Sequence, residues 1–117
     1  MDASNKTTLK GNCHCKAVRI TFPSPKKPLN ECLCSICRRY GALWAYFQVE
    51  EIQIEGEPTE VYMWGDKEIQ FHRCKSCGCV THWEPVDKTN KTVGINCRVL
   101  EREDLEKFEI KKSEGPK

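Results

Sequence analysis

Alternation with period two dominates the apolar pattern of this chain. Val18, Ile20 and Phe22 share one face of residues 16–22, with Arg19 and Thr21 on the other, which predicts a half-buried strand. Ile52 and Ile54 alternate with Gln53 and Glu55. Val93, Ile95, Cys97 and Val99 alternate with Gly94, Asn96, Arg98 and Leu100, which predicts a strand through residues 93–99. Residues 42–49 are apolar and aromatic (Leu43, Trp44, Tyr46, Phe47) and read as a buried strand whose rings belong to the core. Shorter extended segments are predicted at 61–64, 69–71 and 80–83. Gly65-Asp66 joins the first two of these as a hairpin signal. The run Pro23-Ser24-Pro25-Lys26-Lys27-Pro28 is a loop. Helix is predicted twice only: one turn before Gly41, and one or two turns from Arg102 to Phe108. Residues 1–10 read as a polar leader and 111–117 as a solvated tail. The pattern predicts an all-β fold of short strands in a single domain spanning 1–117. Its core lies in 11–100, and 101–117 form a C-terminal turn and tail.

Composition adds a problem for that fold. Leu, Ile, Val and Phe make up about a fifth of the 117 residues, a thin core near the compositional border with disorder. Nine cysteines are the obvious supplement. The 19 basic and 17 acidic residues leave a net charge of +2, which removes the compositional case for a dedicated nucleic-acid or polybasic membrane binder. Residues 1–6 carry no apolar h-region, and no apolar run approaches the roughly 18 residues of a membrane span. The expectation is a cytoplasmic chain with reduced thiols.

The cysteine spacing favours metal over disulfides. The count is odd, and six of the nine lie in two tight triplets, Cys32, Cys34, Cys37 and Cys74, Cys77, Cys79. Residues two or three apart pair poorly with each other but readily turn two thiolates onto one cation. Thiolate-rich sites select zinc or iron–sulfur clusters, and no four-cysteine ferredoxin spacing is present. On an extended segment Cys13-x-Cys15 directs both side chains to one side, and Cys74-x-x-Cys77-Gly78 resembles a zinc knuckle. Together they supply four thiolates, the pattern of a closed structural site. Cys32, Cys34 and Cys37 come from one six-residue segment and leave a fourth position open, as catalytic zinc sites do. A competing arrangement pairs Cys34 and Cys37 with Cys74 and Cys77 as a zinc ribbon, across a gap longer than the usual 15–20 residues. Cys79 is read as a small packed residue or a fourth ligand to the triplet, and Cys97 as core.

These residues carry a resemblance. Gly11-x-Cys13-x-Cys15 with Val18, Cys32-x-Cys34-x-x-Cys37-Arg38 with Gly41, and Cys74-x-x-Cys77-Gly78 resemble the glutathione-dependent formaldehyde-activating enzyme family, which includes centromere protein V and its relatives. The resemblance covers about Gly11 to Leu100. It implies an Mss4-like all-β fold with two zinc ions per chain. Cys13, Cys15, Cys74 and Cys77 match the structural set, and Cys32, Cys34 and Cys37 the catalytic set. Arg73 departs from the aromatic residue that often precedes the knuckle cysteine.

Three thiolates on zinc leave a net charge of about −1 and a weak Lewis acid, a poor zinc-hydroxide hydrolase but a good host for a thiol substrate. The expected function is a carbon–sulfur lyase-like reaction on adducts of glutathione, or a similar thiol, with formaldehyde or a related aldehyde. A non-catalytic zinc module binding a protein or chromatin is the alternative from a different class. Arg38 and Arg39 follow the triplet, and Arg38 is the candidate to compensate its charge or hold a substrate carboxylate. Asn96 and Arg98 are expected on one strand face, at the surface or lining a pocket. His14 is expected to face outward, and His72 and His82 are candidates for a site role against a background of ordinary satisfied histidines.

Overall fold

The computed structural model describes residues 8–56, 58–63 and 68–114. Within them are ten strands: β1 (Thr8–Asn12), β2 (Val18–Pro23), β3 (Leu29–Cys32), β4 (Trp44–Gln48), β5 (Gln53–Gly56), β6 (Thr59–Met63), β7 (Ile69–Cys74), β8 (Val80–Pro85), β9 (Thr92–Asn96) and β10 (Ile110–Ser113). The two helices, α1 (Cys37–Tyr40) and α2 (Arg102–Leu105), are single turns. The chain is all-β, as the alternation predicted. The Gly65-Asp66 turn and Trp64 lie outside the described residues.

The strands form a three-stranded sheet, β1-β2-β5, and a seven-stranded sheet, β10-β3-β4-β9-β8-β7-β6. Val18, Ile20 and Phe22 are fully buried on β2, as their alternation requires. Ile20 and Phe22 pack with Leu9 of β1 against Ala45, Phe47, Val93 and Ile95 on one face of the large sheet. The other face presents Trp44 and Phe71 to Cys32, Cys34 and Cys37. β4 is therefore covered on both sides at Trp44 and Ala45, which explains the apolar rather than alternating start of its sequence.

Three expectations need correction. Residues 8–10 are not a leader but begin β1, whose backbone pairs antiparallel with β2 from Thr8↔Pro23 to Asn12↔Arg19. Residues 110–113 are not a solvated tail but a parallel edge strand on β3; their side chains are exposed apart from Ser113, whose hydroxyl donates to Asn30 Oδ1 at 2.6 Å, so backbone pairing does most of the holding and no apolar periodicity announces it. The strand from Val93 ends at Asn96. The Asn96 side chain accepts the Arg98 N–H and starts a 3-10 turn over Cys97–Val99, a side-chain cap that competes with the ladder.

Gly94 has a packing duty. It sits between Trp83 on β8 and Tyr46 on β4 in the cross-strand register, and the indole crosses it to meet the Tyr46 ring at a centroid distance of 6.1 Å. A Cβ at Gly94 would overlap the Trp83 ring at Nε1, Cε2 and Cδ1. Gly94→Ala is expected to cost about 1–3 kcal/mol, read as a lower urea midpoint with unchanged slope. An unchanged midpoint would mean that the indole swings aside freely.

Candidate metal centres

The first cluster forms where two turns meet. After β1 the chain reverses with Lys16 N–H donating to the Cys13 carbonyl at 3.0 Å and Cys13 N–H to the Val18 carbonyl at 3.0 Å. Lys16 takes φ +69°. The C-x-C pair thus lies in a hairpin turn rather than on an extended segment, and the turn, not strand alternation, brings the two sulfurs to 3.7 Å. After β7 the knuckle closes with Gly78 N–H on the Cys74 carbonyl at 2.9 Å and Gly78 at φ +81°. Cys15 Sγ lies 3.6 Å from Cys74 Sγ, and the sulfurs of Cys13, Cys15, Cys74 and Cys77 all fall within 4.8 Å of one another. Sulfurs at tetrahedral corners with zinc bonds of about 2.3 Å stand about 3.8 Å apart. The donor set and its dimensions therefore fit such a cation.

Backbone amides prepare these thiols for a cation. The N–H groups of Cys15 and Cys79 aim at Cys77 and pull its thiol down to about 5, against a small opposing effect of burial. The N–H of Cys77 does the same for Cys74, whose Sγ it faces at 3.5 Å, and holds it below the ordinary range. Cys15 is pulled down by the Ala17 N–H but pushed further up by the sulfurs of Cys74, Cys13 and Cys77 and by desolvation, to about 12. Adjacent thiolates cannot all ionise without a counter-charge.

The second cluster repeats the knuckle. Cys32 ends β3, Cys34 precedes α1 and Cys37 opens it. Cys37 N–H points at Cys34 Sγ at 3.4 Å, as Cys77 N–H points at Cys74. Gly41, at φ +67°, ends α1, the left-handed cap that the sequence predicted. All three cysteines are buried and their sulfurs lie within 4.8 Å of one another. Among the described residues no further Cys, His, Asp or Glu joins this group. Burial raises the Cys34 thiol, but the N–H groups of Cys37 and Ile36 and the thiols of Cys37 and Cys32 outweigh it, leaving Cys34 below its ordinary value. Burial pushes Cys37 up despite the Trp44 indole N–H, 3.4 Å from its sulfur.

A cavity of about 380 Å³ is lined by the Pro23–Pro28 loop, Trp44–Phe47 and Glu51 but by none of the three cysteines; its size is that of a small-ligand pocket. Trp44 belongs to both. Trp44 and Phe47 are core, as expected, whereas Tyr46 is 48% exposed. The Tyr46 hydroxyl accepts from Asn30 Nδ2 at 2.6 Å. Burial of its phenol, relieved in part by the Asn30 bond, holds its pKa above the ordinary value. The loop had been legible only as a breaker, because nothing local records which strand it crosses.

Other candidates find plainer places. Arg38 and Arg39 are exposed on α1, and Arg39 donates to the Ser35 carbonyl at 2.7 Å. Asn96 and Arg98 do not share a strand face. Asn96 is buried, accepts the Leu43 N–H at 3.1 Å and donates to the Val80 carbonyl at 2.8 Å, while exposed Arg98 donates to the Gly41 carbonyl at 2.9 Å. Asn96 thereby ties β9 to the segments entering β4 and β8. Cys79 packs beside the four-cysteine cluster, not the three-cysteine one, and the ribbon pairing is absent because Cys74 and Cys77 meet Cys13 and Cys15 instead. Cys97 is fully buried, and burial raises its thiol to about 12. His14 is exposed.

Comparison with known proteins agrees with this architecture. The family described as glutathione-dependent formaldehyde-activating enzyme matches residues 8–112. A Halomonas elongata protein named as a putative glutathione-dependent formaldehyde-activating enzyme is 31% identical over 77 residues, which cover 65% of this chain and 46% of that protein. This chain therefore matches less than half the length of that relative. The crystal structure of a Rhodobacter sphaeroides protein, a structural-genomics target, superposes with a TM-score of 0.71 at 28% identity, covering 88% of this chain and all of that one. With its matched residues running from β1 into β10, the chain belongs to the glutathione-dependent formaldehyde-activating enzyme family.

Proposed function

We propose that the chain is a zinc-dependent enzyme that makes and breaks the carbon–sulfur bond between glutathione, or a similar thiol, and formaldehyde or a related small aldehyde. The observation that carries this reading is a buried cluster of three thiols, with no fourth ligand side chain among the described residues, whose Trp44 wall also lines a cavity of ligand size. Cys32, Cys34 and Cys37 are assigned to a zinc with an exchangeable position, and Cys13, Cys15, Cys74 and Cys77 to a closed structural zinc, two ions per chain. Zinc at the three-cysteine site supplies a charge that keeps a substrate thiol deprotonated at neutral pH.

The protein's own contribution is to hold and shield. The Trp44 indole N–H orients Cys37, and Trp44, Phe71 and Tyr40 wall the cluster from water. Lys26 and Lys27 on the cavity rim suit the two carboxylates of glutathione, and Arg38 is a further candidate for one of them. In the forward direction the thiolate electron pair forms the new bond to the carbonyl carbon. The carbonyl π pair moves to oxygen, which takes a proton, and the hydroxymethyl thioether results. Free thiols throughout suit a reducing compartment, so the cytoplasm is the proposed location.

The test is exchange spectroscopy on an equilibrium mixture of formaldehyde, glutathione and their adduct. Catalytic amounts of the zinc-loaded protein are expected to speed exchange between adduct and free aldehyde. Exchange no faster than in buffer, for glutathione and for other small thiols alike, would overturn the proposal.

A further inference from the structure

A second kind of ligand cluster lies on the other face of the large sheet. The β7–β8 register sets His72 directly opposite His82, and Glu84 follows two residues on, on the same face as His82. The two imidazoles stack at a centroid distance of 4.3 Å with 13° between their planes. Glu84 reaches both: Oε1 lies 3.1 Å from His72 Nε2 and Oε2 lies 3.9 Å from His82 Nε2. Ligand atoms of all three residues fall within 4.8 Å of one another.

The outer nitrogens are held by threonine hydroxyls, and one of the two stacked rings would tilt for both Nε2 lone pairs to converge on one ion. His72 Nδ1 meets Thr59 Oγ1 at 2.6 Å, and His82 Nδ1 meets Thr81 Oγ1 at 2.8 Å. The Thr81 hydroxyl donates to the His72 carbonyl at 3.4 Å. Its oxygen is then the acceptor for His82 Nδ1–H, which leaves the Nε2 lone pair of His82 free. His72 Nε2 is buried and makes no aligned hydrogen bond, although Glu84 stands beside it. Glu84 Oε1, at 3.1 Å, is the partner of this buried nitrogen, and a cation bound between them would replace that contact with a bond to each.

We propose that His72, His82 and Glu84 bind a divalent transition-metal ion of the zinc class, at a site separate from both cysteine clusters. Two imidazole nitrogens and one carboxylate are a borderline donor set, suited to zinc, cobalt or iron(II) rather than to calcium or magnesium. Glu84, with a side chain 29% exposed, is the side from which an ion enters. The site clamps β7 to β8. Phe71 and Trp83, the neighbours of the two histidines, point to the opposite face and pack around the three-cysteine cluster, and Cys74 of the other cluster follows His72 by two residues. Occupancy would therefore stiffen a wall of one cysteine site and the approach to the other.

The experiment is a cobalt(II) titration of the full chain with zinc already in its cysteine clusters, followed by absorption spectroscopy. One further equivalent of cobalt with weak d–d bands and no thiolate-to-cobalt charge transfer is expected. Glu84→Gln, a near-isosteric change on a partly exposed side chain, is expected to weaken that binding at least about tenfold while zinc content and melting temperature hold. His82→Gln should do the same if it folds. No additional cobalt, cobalt signals of thiolate type only, or undiminished binding by folded Glu84→Gln would overturn the proposal and leave these residues as a hydrogen-bonded ion pair. Failure of the glutathione–aldehyde assay would not bear on any of these readouts.

Discussion

On the proposed function, a Cys34→Ser protein is expected to fold, to carry one cysteine-bound zinc against an expected two in the parent, and to show at least about a hundredfold less glutathione–aldehyde exchange than the parent. The magnitude follows from comparison with milder changes, since losing even an outer-sphere partner of a metal ligand costs about 10–100-fold. Folding should survive because the contacts of Cys34 are local. Its sulfur accepts the Cys37 N–H at 3.4 Å and its carbonyl accepts the Arg38 N–H at 3.1 Å; a serine oxygen keeps the first bond and the backbone keeps the second. The four-cysteine cluster shares no residue with this one and should keep its ion. Elemental analysis and exchange spectroscopy on the same sample check both parts. Parental activity in the variant, or two zinc ions retained, would sink the assignment of Cys34 as a ligand of the reactive site.

Stripping the four-cysteine cluster should act on the fold itself. Chelation after mild denaturation, or the double substitution Cys74→Ser with Cys77→Ser, is expected to abolish the cooperative melting transition. Structural zinc binding in peptides is worth about 10–16 kcal/mol at neutral pH, against about 5–15 kcal/mol for the whole net stability of an ordinary domain. The cluster joins the β1–β2 turn of the small sheet to the end of β7 in the large one, across the 58 residues between Cys15 and Cys74. Its immediate apolar support is slight: Val18 with the cysteines themselves, backed by Ala17 and Ile54. Near-ultraviolet circular dichroism and tryptophan fluorescence during a thermal ramp report the transition. A metal-free protein with a cooperative melt near the parental temperature would refute the structural assignment.

The sequence was most informative where chemistry and local geometry coincide. Cys74-x-x-Cys77-Gly78 and Cys34-x-x-Cys37 are each complete within a few residues, because one turn and one N–H to sulfur bond build the knuckle. The buried faces of β2 and β4 were legible for a related reason: burial on one side or both is written as alternation or as an unbroken apolar run. β10 escaped notice because it is held mainly through backbone pairing, which any side chain permits, and β1 because it offers a single large apolar side chain, Leu9, to the core and so shows no alternation. The strand end at Asn96 was missed because one amide side chain, bonding Arg98 N–H, stops a ladder that the apolar pattern would continue.

What the sequence determined alone, then, is the all-β character, the supply of thiols in knuckle-forming spacing, and their grouping by residue type into a family pattern. Tertiary structure decided which knuckle meets which. Only the folded sheets carry the Cys13–Cys15 turn to Cys74 and Cys77 and set the Pro23–Pro28 loop over Trp44 and Tyr46. They also align His72 with His82. The reason is physical: local spacing specifies what one turn can gather, whereas cross-strand register and sheet packing set the neighbours of residues dozens of positions apart.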